Sequence, residues 1–312
     1  MLGPEAIAVE RGAGMSRRIP GANTGSFDEL AGRLTERDFA IIAALAKHKI
    51  MTAGMLEALF FPSSHAAAAR LLTLSEMGVL ARWRNPSSRA FRYVLDWRGQ
   101  CLQAMRDDEK PPTKSAATFR AQQLFVSAHR AHTEGVNAFY CRLMRAARDR
   151  GDVEVDWVFE HDSTYSMRSD ANVTLTWADG RELWFWFEHD RGTETLQRLA
   201  EKVKSYKSHV NYHHLKKAVL LIEVPGPGRL ANLLPLAAAH WRDSTAPGTR
   251  PTPFTVAASA ATAAEQTFTR PETFPDTLED RRWHVVGTGE VVSLAELPQV
   301  AKAIANRPVI WD

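Results

Sequence analysis

The chain has 312 residues, which is long enough for two domains or for one large domain. Its 45% of hydrophobic and 24% of charged residues are ordinary for a globular protein and exclude a largely disordered chain. The net charge of +3 is too small by itself to indicate a nucleic-acid partner. No apolar run reaches the roughly 18 residues of a membrane span, so no membrane partner is expected. The two cysteines, Cys101 and Cys141, lack metal-ligand spacing and predict a reducing compartment, the cytoplasm.

Residues 1–32 predict a disordered tail. The segment is rich in Gly, Ala, Arg and Pro, and it lacks the apolar core of a signal peptide.

Residues 33–106 follow the order of a winged helix. Apolar residues recur at helical spacing in three short segments, which begin at the capping residues Thr35, Thr52 and the serine pair 63–64. Two segments with strand composition then predict a hairpin: residues 79–83 and 91–95. Because three short helices followed by a hairpin make up a winged helix, we expect a DNA-binding domain of that kind.

Basic residues are concentrated in this first domain. Between residues 33 and 100, ten Lys and Arg stand against five Asp and Glu, an excess near +5 that suits phosphate contacts by a helix and a wing. The candidate DNA-binding side chains lie on the third helix and the hairpin: His65, Arg70, Arg82, Arg84, Arg89 and Arg92. The alanines of the third helix predict little reading of bases. Winged helices also serve as protein-interaction modules, and an arginine-rich hairpin can be a solvated edge that blocks strand pairing.

A charged linker, residues 107–118, precedes a predicted α/β domain at residues 119–312. The predicted order is a helix over 119–148, strands over 153–159, 171–177 and 182–189, a helix over 193–209, a strand over 217–223 and a helix over 228–241. This order indicates a mixed sheet with helices on both faces. Residues 250–312 are weakly patterned, with strands expected over 254–258 and 282–286 and a helix over 294–304, and their role stays open.

Carboxylates follow the most apolar strand of this domain. The aromatic run 184–187 predicts a strand covered on both faces, and Glu188 and Asp190 after it share one face. Asp170 precedes the neighbouring strand, so the three acids form the layout with which PD-(D/E)xK nucleases hold Mg²⁺. We therefore expect Asp170, Glu188 and Asp190 as ligands of Mg²⁺ or Mn²⁺. Lys202 on the next helix is expected to replace the lysine that this pattern lacks at position 190.

A structural alternative stays open for the same acids. Asp190 can pair with Arg191 or Lys202 while Thr193 caps the following helix. The acids would then belong to an ion-pair network in a degenerate nuclease-like domain.

Several segments resemble the replication-relaxation family of plasmids and other mobile elements. They are Leu34-Thr-Glu-Arg-Asp38, Leu59-Phe-Phe-Pro62, Arg70-Leu-Leu, Met77-Gly-Val-Leu80, His132 with Val136-Asn137, and Glu188-His-Asp-Arg-Gly-Thr-Glu194 followed by Lys202 and Tyr206. The resemblance spans about residues 33–225. It implies an N-terminal winged helix, a C-terminal nuclease-like domain, and a role in plasmid replication or in relaxing supercoiled plasmid DNA.

Three functions remain as hypotheses for this α+β chain. The first is a DNA-binding protein of a plasmid or mobile element, acting in replication, relaxation or mobilisation, with double-stranded DNA and replication or mobilisation proteins as partners. The second is a metal-dependent endonuclease or nickase that uses Asp170, Glu188, Asp190 and Lys202. The third is a winged-helix transcriptional regulator whose C-terminal domain forms a homodimer or senses a ligand.

Overall fold

The computed structural model describes residues 27–84, 90–159, 167–215, 217–242 and 254–306. Contacts divide the chain into two compact units, Met1–Arg130 and Ala131–Asp312. Both units combine helices with strands, which confirms the mixed α and β composition. None of the helices in the described ranges has the length and apolar character that crossing a bilayer requires.

The first unit consists of helices and a small antiparallel sheet. Its helices are α1 (Phe27–Ala31), α2 (Glu36–His48), α3 (Ala53–Phe60), α4 (Ser64–Glu76), α5 (Trp97–Arg106) and α6 (Lys114–Val126). Its strands are β1 (Met51–Thr52), β2 (Leu80–Trp83) and β3 (Arg92–Leu95), in the sheet order β1-β3-β2. Three helices, α2 to α4, thus precede the β2–β3 hairpin, in the predicted order.

The predicted capping residues begin the helices of this unit. Thr35 and Asp38 cap α2 reciprocally, since the Asp38 carboxylate accepts the Thr35 backbone N–H at 2.7 Å. The side chain of Thr52 accepts from Met55 N at the start of α3, and that of Ser63 accepts from Ala66 N at the start of α4. Each cap satisfies a backbone N–H that has no partner within its helix.

Three predictions for this part of the chain are wrong. The linker expected over 107–118 ends early, because α6 begins at Lys114 and belongs to the first unit. Residues 27–31, placed in a disordered tail by composition, form α1, which buries Leu30. The single helix expected over 119–148 is two helices, because Ser127 leaves helical geometry at ψ 134° and its hydroxyl accepts His129 N at 3.1 Å. Serine competes for backbone donors in this way and interrupts a helix that apolar spacing alone would continue. The predicted turn at 85–88 lies outside the described residues.

The second unit is built on a seven-stranded mixed sheet. After α7 (Arg130–Arg150), which starts at the last residue of the first unit, its helices are α8 (Leu196–Tyr212), α9 (Pro227–Arg242), α10 (Ala263–Gln266) and α11 (Leu297–Ala305), with a 3₁₀ turn at Pro271–Thr273. The strands are β4 (Val153–Phe159), β5 (Ala171–Trp177), β6 (Glu182–His189), β7 (Ala218–Pro225), β8 (Phe254–Ala261), β9 (Trp283–Val285) and β10 (Val291–Val292). The sheet order is β10-β9-β8-β7-β6-β5-β4; the β6–β7 and β7–β8 pairs are parallel and the others antiparallel.

Both faces of this sheet are covered, as the aromatic strand predicts. Alternate residues of β6 point into different cores: Phe185 and Phe187 pack with α7 and α11, and Trp186 packs with α8 and α9. All three rings are fully buried. The mixed sheet with helices on both faces is therefore confirmed.

The weakly patterned C-terminal region adds strands to the same sheet. The predicted strands at 254–258 and 282–286 are present as β8 and β9, and the short β10 was not predicted. The predicted helix near 294–304 is α11, whose buried Leu297 and Ile304 belong to the α7 side of the core. The helix expected from residue 193 begins instead at Leu196, because its capping residue is Thr195 rather than Thr193.

Candidate functional site

The predicted acids lie where β5 begins and β6 ends. In the antiparallel register Ala171 pairs with Phe187, which places Asp170 beside Glu188 on the adjacent strand. We call Asp170, Glu188 and Asp190 together the acidic strand end. Each of its three carboxylates has different partners.

Glu188 is buried and bound by two residues of α8. The Tyr206 hydroxyl donates to Oε1 at 2.5 Å, and Lys202 Nζ donates to Oε2 at 2.8 Å. The pKa of Glu188 is raised to about 7, mainly because the carboxyl is buried and also because it lies near the charge of Asp170. Burial alone would lower the pKa of Lys202, but the charge of Glu188 and its hydrogen bond outweigh burial and raise it. Lys202 also lies 3.3 Å from Glu194, so its ammonium joins two carboxylates.

Asp190 is held by a residue that the sequence did not single out. Arg229 of α9 makes a short ion pair with Asp190 Oδ2, and Gly192 N donates to Oδ1 at 2.8 Å. Arg229 also donates to the Glu194 carbonyl at 2.7 Å. The Asp190 side chain is 1% exposed, so this carboxylate fixes the turn after β6. The structural alternative is thus right that Asp190 is ion-paired, and wrong in naming Arg191 or Lys202 as the partner.

Asp170 is bound from two directions. His132 Nε2 lies 2.8 Å from Oδ1, and the backbone N–H of His189 donates to Oδ2 at 2.7 Å. Burial would lower the pKa of His132, but the hydrogen bond and charge of Asp170 outweigh it and raise that pKa. His132 lies on α7 and is a third exposed. Its pairing with Asp170 was missed, because the two residues are 38 positions apart.

The sequence analysis also missed a buried ion-pair network, which reaches the ring of His189 next to Glu188. Arg142 of α7 donates to Glu223 of β7 at 2.5 Å and lies 3.5 Å from Glu265 of α10, which is also paired to Arg282. Burial would raise the pKa of Glu223, but the nearby Arg142 charge lowers it to about 2. The ring of His189 lies 3.4 Å from Glu223. One sequence signal was available, since an acid such as Glu223 inside an apolar strand requires a buried partner.

The acidic strand end does not fit a divalent cation as it is arranged. All six carboxylate oxygens of its three acids have a protein hydrogen-bond partner, and two of the carboxylates are bound by a lysine or an arginine. In the part of the chain that the structure describes, no three His, Cys, Asp or Glu side chains are grouped so as to hold a metal. Mg²⁺ bound to Glu188 or Asp190 would lie beside the positive charge of Lys202 or Arg229, which opposes its binding.

In the first unit, three candidate arginines gather on the β2–β3 hairpin. The guanidinium groups of Arg82 and Arg84 lie over the Phe91 ring at 4.9 and 5.2 Å from its centroid, and Arg92 lies over Trp83 at 5.8 Å. We call this set the arginine hairpin. The sequence placed these arginines on a hairpin but gave no sign that aromatic rings would order them.

The remaining candidates of this unit have different settings. Arg70 makes a short ion pair with the fully buried Asp38 and donates to the Arg33 carbonyl at 3.3 Å, so it joins α4 to α2. His65 is exposed in the first turn of α4. Arg89 lies outside the described residues.

These features define a class: a two-unit α+β protein with an arginine-bearing hairpin in one unit and a mixed sheet with an ion-paired acidic strand end in the other. The replication-relaxation family model matches residues 42–222, more than half of the chain, and the chain belongs to this family. The match runs from within α2 to within β7 and so includes both the arginine hairpin and the acidic strand end. Comparison with curated proteins and with solved structures found no match.

Proposed function

We propose that this chain is a DNA-binding protein of a plasmid or other mobile element, acting in its replication, relaxation or mobilisation. Membership of the replication-relaxation family supports the plasmid role. In this proposal the first unit is a winged helix that binds duplex DNA, and the second is a nuclease-like unit that contacts DNA or a replication partner.

The arginine hairpin is the observation that carries the proposal. Three guanidinium groups are ordered by two rings on one short hairpin, and Arg84 is exposed. A guanidinium stacked on a ring keeps its N–H donors in its own plane, and these donors bind phosphate oxygens. Ordering the side chains in advance also reduces the entropy that binding would otherwise cost.

Helix α4 supports DNA binding that depends little on base sequence. Its exposed face carries His65, Ala68, Ala69 and Leu72, and these offer few of the hydrogen-bonding groups that read base edges. Arg70, which could reach a base, is engaged by Asp38. Affinity would then come chiefly from phosphate contacts of the hairpin, and it would vary little between duplexes of different sequence.

The layout of the second unit supports a nuclease-like fold. An acid precedes β5, another ends β6, and a parallel strand β7 follows across a helix. Because the carboxylates do not fit a metal ion, the proposed role of this unit is binding, to DNA or to a replication or mobilisation protein, and not cleavage.

The test is retention of a labelled duplex by the full chain. The variant Arg84→Ala with Arg92→Ala should bind at least about tenfold more weakly, since each phosphate contact by an arginine contributes about 1 kcal/mol or more. Arg106→Ala, which removes an exposed arginine of α5, is the matched control and should bind like the unchanged protein. Equal loss of binding in both variants, or no loss in either, would refute the role of the hairpin.

A further inference from the structure

We propose that Lys202 supplies positive charge at the acidic strand end in place of a divalent metal ion. The site would therefore perform its proposed binding role with no metal ion bound. The proposal deepens the proposed function and rests on it only in taking the second unit to be nuclease-like. It concerns the second unit alone and does not depend on the arginine hairpin.

The position of the ammonium group carries the first step. Lys202 Nζ lies 2.8 Å from Glu188 Oε2 and 3.3 Å from Glu194 Oε1, so it bridges two carboxylates as a bound cation would. A lysine ammonium is a compact point charge with three donors, and two of them are engaged here. The side chain comes from α8, whose buried Leu199 and Val203 pack against the sheet and fix the lysine's place.

The second step is the competition that a metal ion would face. A divalent ion bound to Glu188 would lie within a few ångströms of the Lys202 ammonium, where like charges repel strongly in a site of low dielectric constant. The other oxygen of Glu188 accepts from Tyr206, which is buried and cannot easily withdraw. Metal binding at Glu188 would thus require the Lys202–Glu188 ion pair to break, or the ion to stay beside the ammonium group.

The ion pair of Asp190 with Arg229 makes a metal ion unfavourable at the third acid as well. If Asp190 moved to bind a metal ion, the charge of the largely buried Arg229 would be left without its carboxylate partner, which is costly. Two of the three acids thus already have a basic partner before any ion arrives.

The deciding experiment is a Mn²⁺ titration of the full chain without DNA, in which free Mn²⁺ is followed by electron paramagnetic resonance. The unchanged protein should bind less than about 0.1 Mn²⁺ per chain at about 1 mM, a concentration at which weak carboxylate sites fill. Lys202→Met should raise this to about one Mn²⁺ per chain, because it frees one oxygen of Glu188 and one of Glu194 beside Asp170. Lys204→Met is the control, because this exposed lysine lies two residues along α8 and on another face of the helix, and it should leave binding unchanged.

The outcomes separate clearly. One Mn²⁺ bound by the unchanged protein and lost in Glu188→Gln would overturn the proposal, as would a folded Lys202→Met chain that takes up no Mn²⁺. If Lys202→Met fails to fold by circular dichroism, Lys202→Gln replaces it with the same expected gain. Because no DNA is present, failure here leaves the hairpin proposal standing, and failure of DNA retention leaves the Mn²⁺ result standing.

Discussion

The hydroxyl of Tyr206 donates a 2.5 Å hydrogen bond to the buried carboxylate of Glu188. This contact joins α8 to the end of β6 and leaves the acid with one neutral and one charged donor. Tyr206 packs against Trp186 on the same face of the strand, with ring centroids 5.1 Å apart. The strand that the sequence marks most strongly is thus tied to the helix that follows it.

Loss of this hydroxyl should destabilise the fold. In Tyr206→Phe the ring remains and one donor to a buried acid is lost, which should lower the free energy of unfolding by about 2 kcal/mol. Urea denaturation followed by tryptophan fluorescence measures the change. Tyr212→Phe is the control, since Tyr212 is 81% exposed. An equal effect of both variants would contradict the importance of the Glu188 contact.

Glu188 should make stability depend on pH near neutrality. Its pKa in the fold, about 7, exceeds the ordinary glutamate value of 4.5, so the folded state binds the proton more tightly than the unfolded chain does. Its contribution to stability is therefore present in full below the unfolded pKa and is lost as the pH rises through about 7. Between about pH 5 and pH 8 the free energy of unfolding should fall more in the unchanged protein than in Glu188→Gln. The difference between the two falls is due to the titration of Glu188.

His132 acts in the same direction in that window, because its pKa is also raised. It is present in both proteins and its raised pKa is due more to Asp170 than to Glu188, so comparison with Glu188→Gln removes the part of its effect that Asp170 causes. An equal fall in stability in the two proteins would show that Glu188 does not titrate near neutrality.

Arg70 should matter for the fold of the first unit more than for DNA contact. Arg70→Ala leaves the buried Asp38 without its ion pair, although Thr35 still donates to that carboxylate. We expect a loss of about 1–3 kcal/mol in unfolding free energy, the usual cost of removing one partner of a buried polar group. The salt dependence of DNA binding by the folded fraction should not change. A reduced salt dependence with unchanged stability would instead make Arg70 a phosphate contact.

The fold should require glycine at position 135, because α7 packs closely against the His189 ring there. A Cβ at this position would lie 2.0 Å from His189 Nε2, and the buried ring is confined by Glu223. Gly135→Ala should therefore cost about 1–3 kcal/mol, as overpacking of a core does. Gly228→Ala in α9 meets no atom within 4 Å and should be neutral or slightly stabilising. Thermal unfolding of the two variants distinguishes them, and equal melting temperatures would contradict the close approach.

Local patterns in the sequence predicted most elements of the fold. Thr35 and Thr52 predicted helix starts, because capping depends only on neighbouring residues. The aromatic run of β6 predicted a strand covered on both faces, because apolar side chains on both faces of a strand are stable only when both faces are buried. Lys202 was found because helical spacing places it over the end of the preceding strand. Each of these inferences depends on residues close in sequence.

Contacts between distant positions could not be predicted in the same way. The Asp190–Arg229 and His132–Asp170 pairs join residues 39 and 38 positions apart, and a single sequence carries no record of such pairings. The break at Ser127 was missed because a side-chain hydrogen bond competes there with apolar spacing. The acids were correctly located, but their partners, which decide their chemistry, come from other elements of the fold.

The salt dependence of duplex binding tests the central claim most directly. Affinity is measured by fluorescence anisotropy over a series of salt concentrations, in the presence of a chelator, for the unchanged protein and for Arg84→Ala with Arg92→Ala. We predict that binding persists without divalent ions and that the slope of log K against log salt becomes shallower by about 2 in the variant, close to 0.9 for each lost phosphate contact. Identical slopes, or binding that disappears with the chelator, would contradict DNA binding by the arginine hairpin.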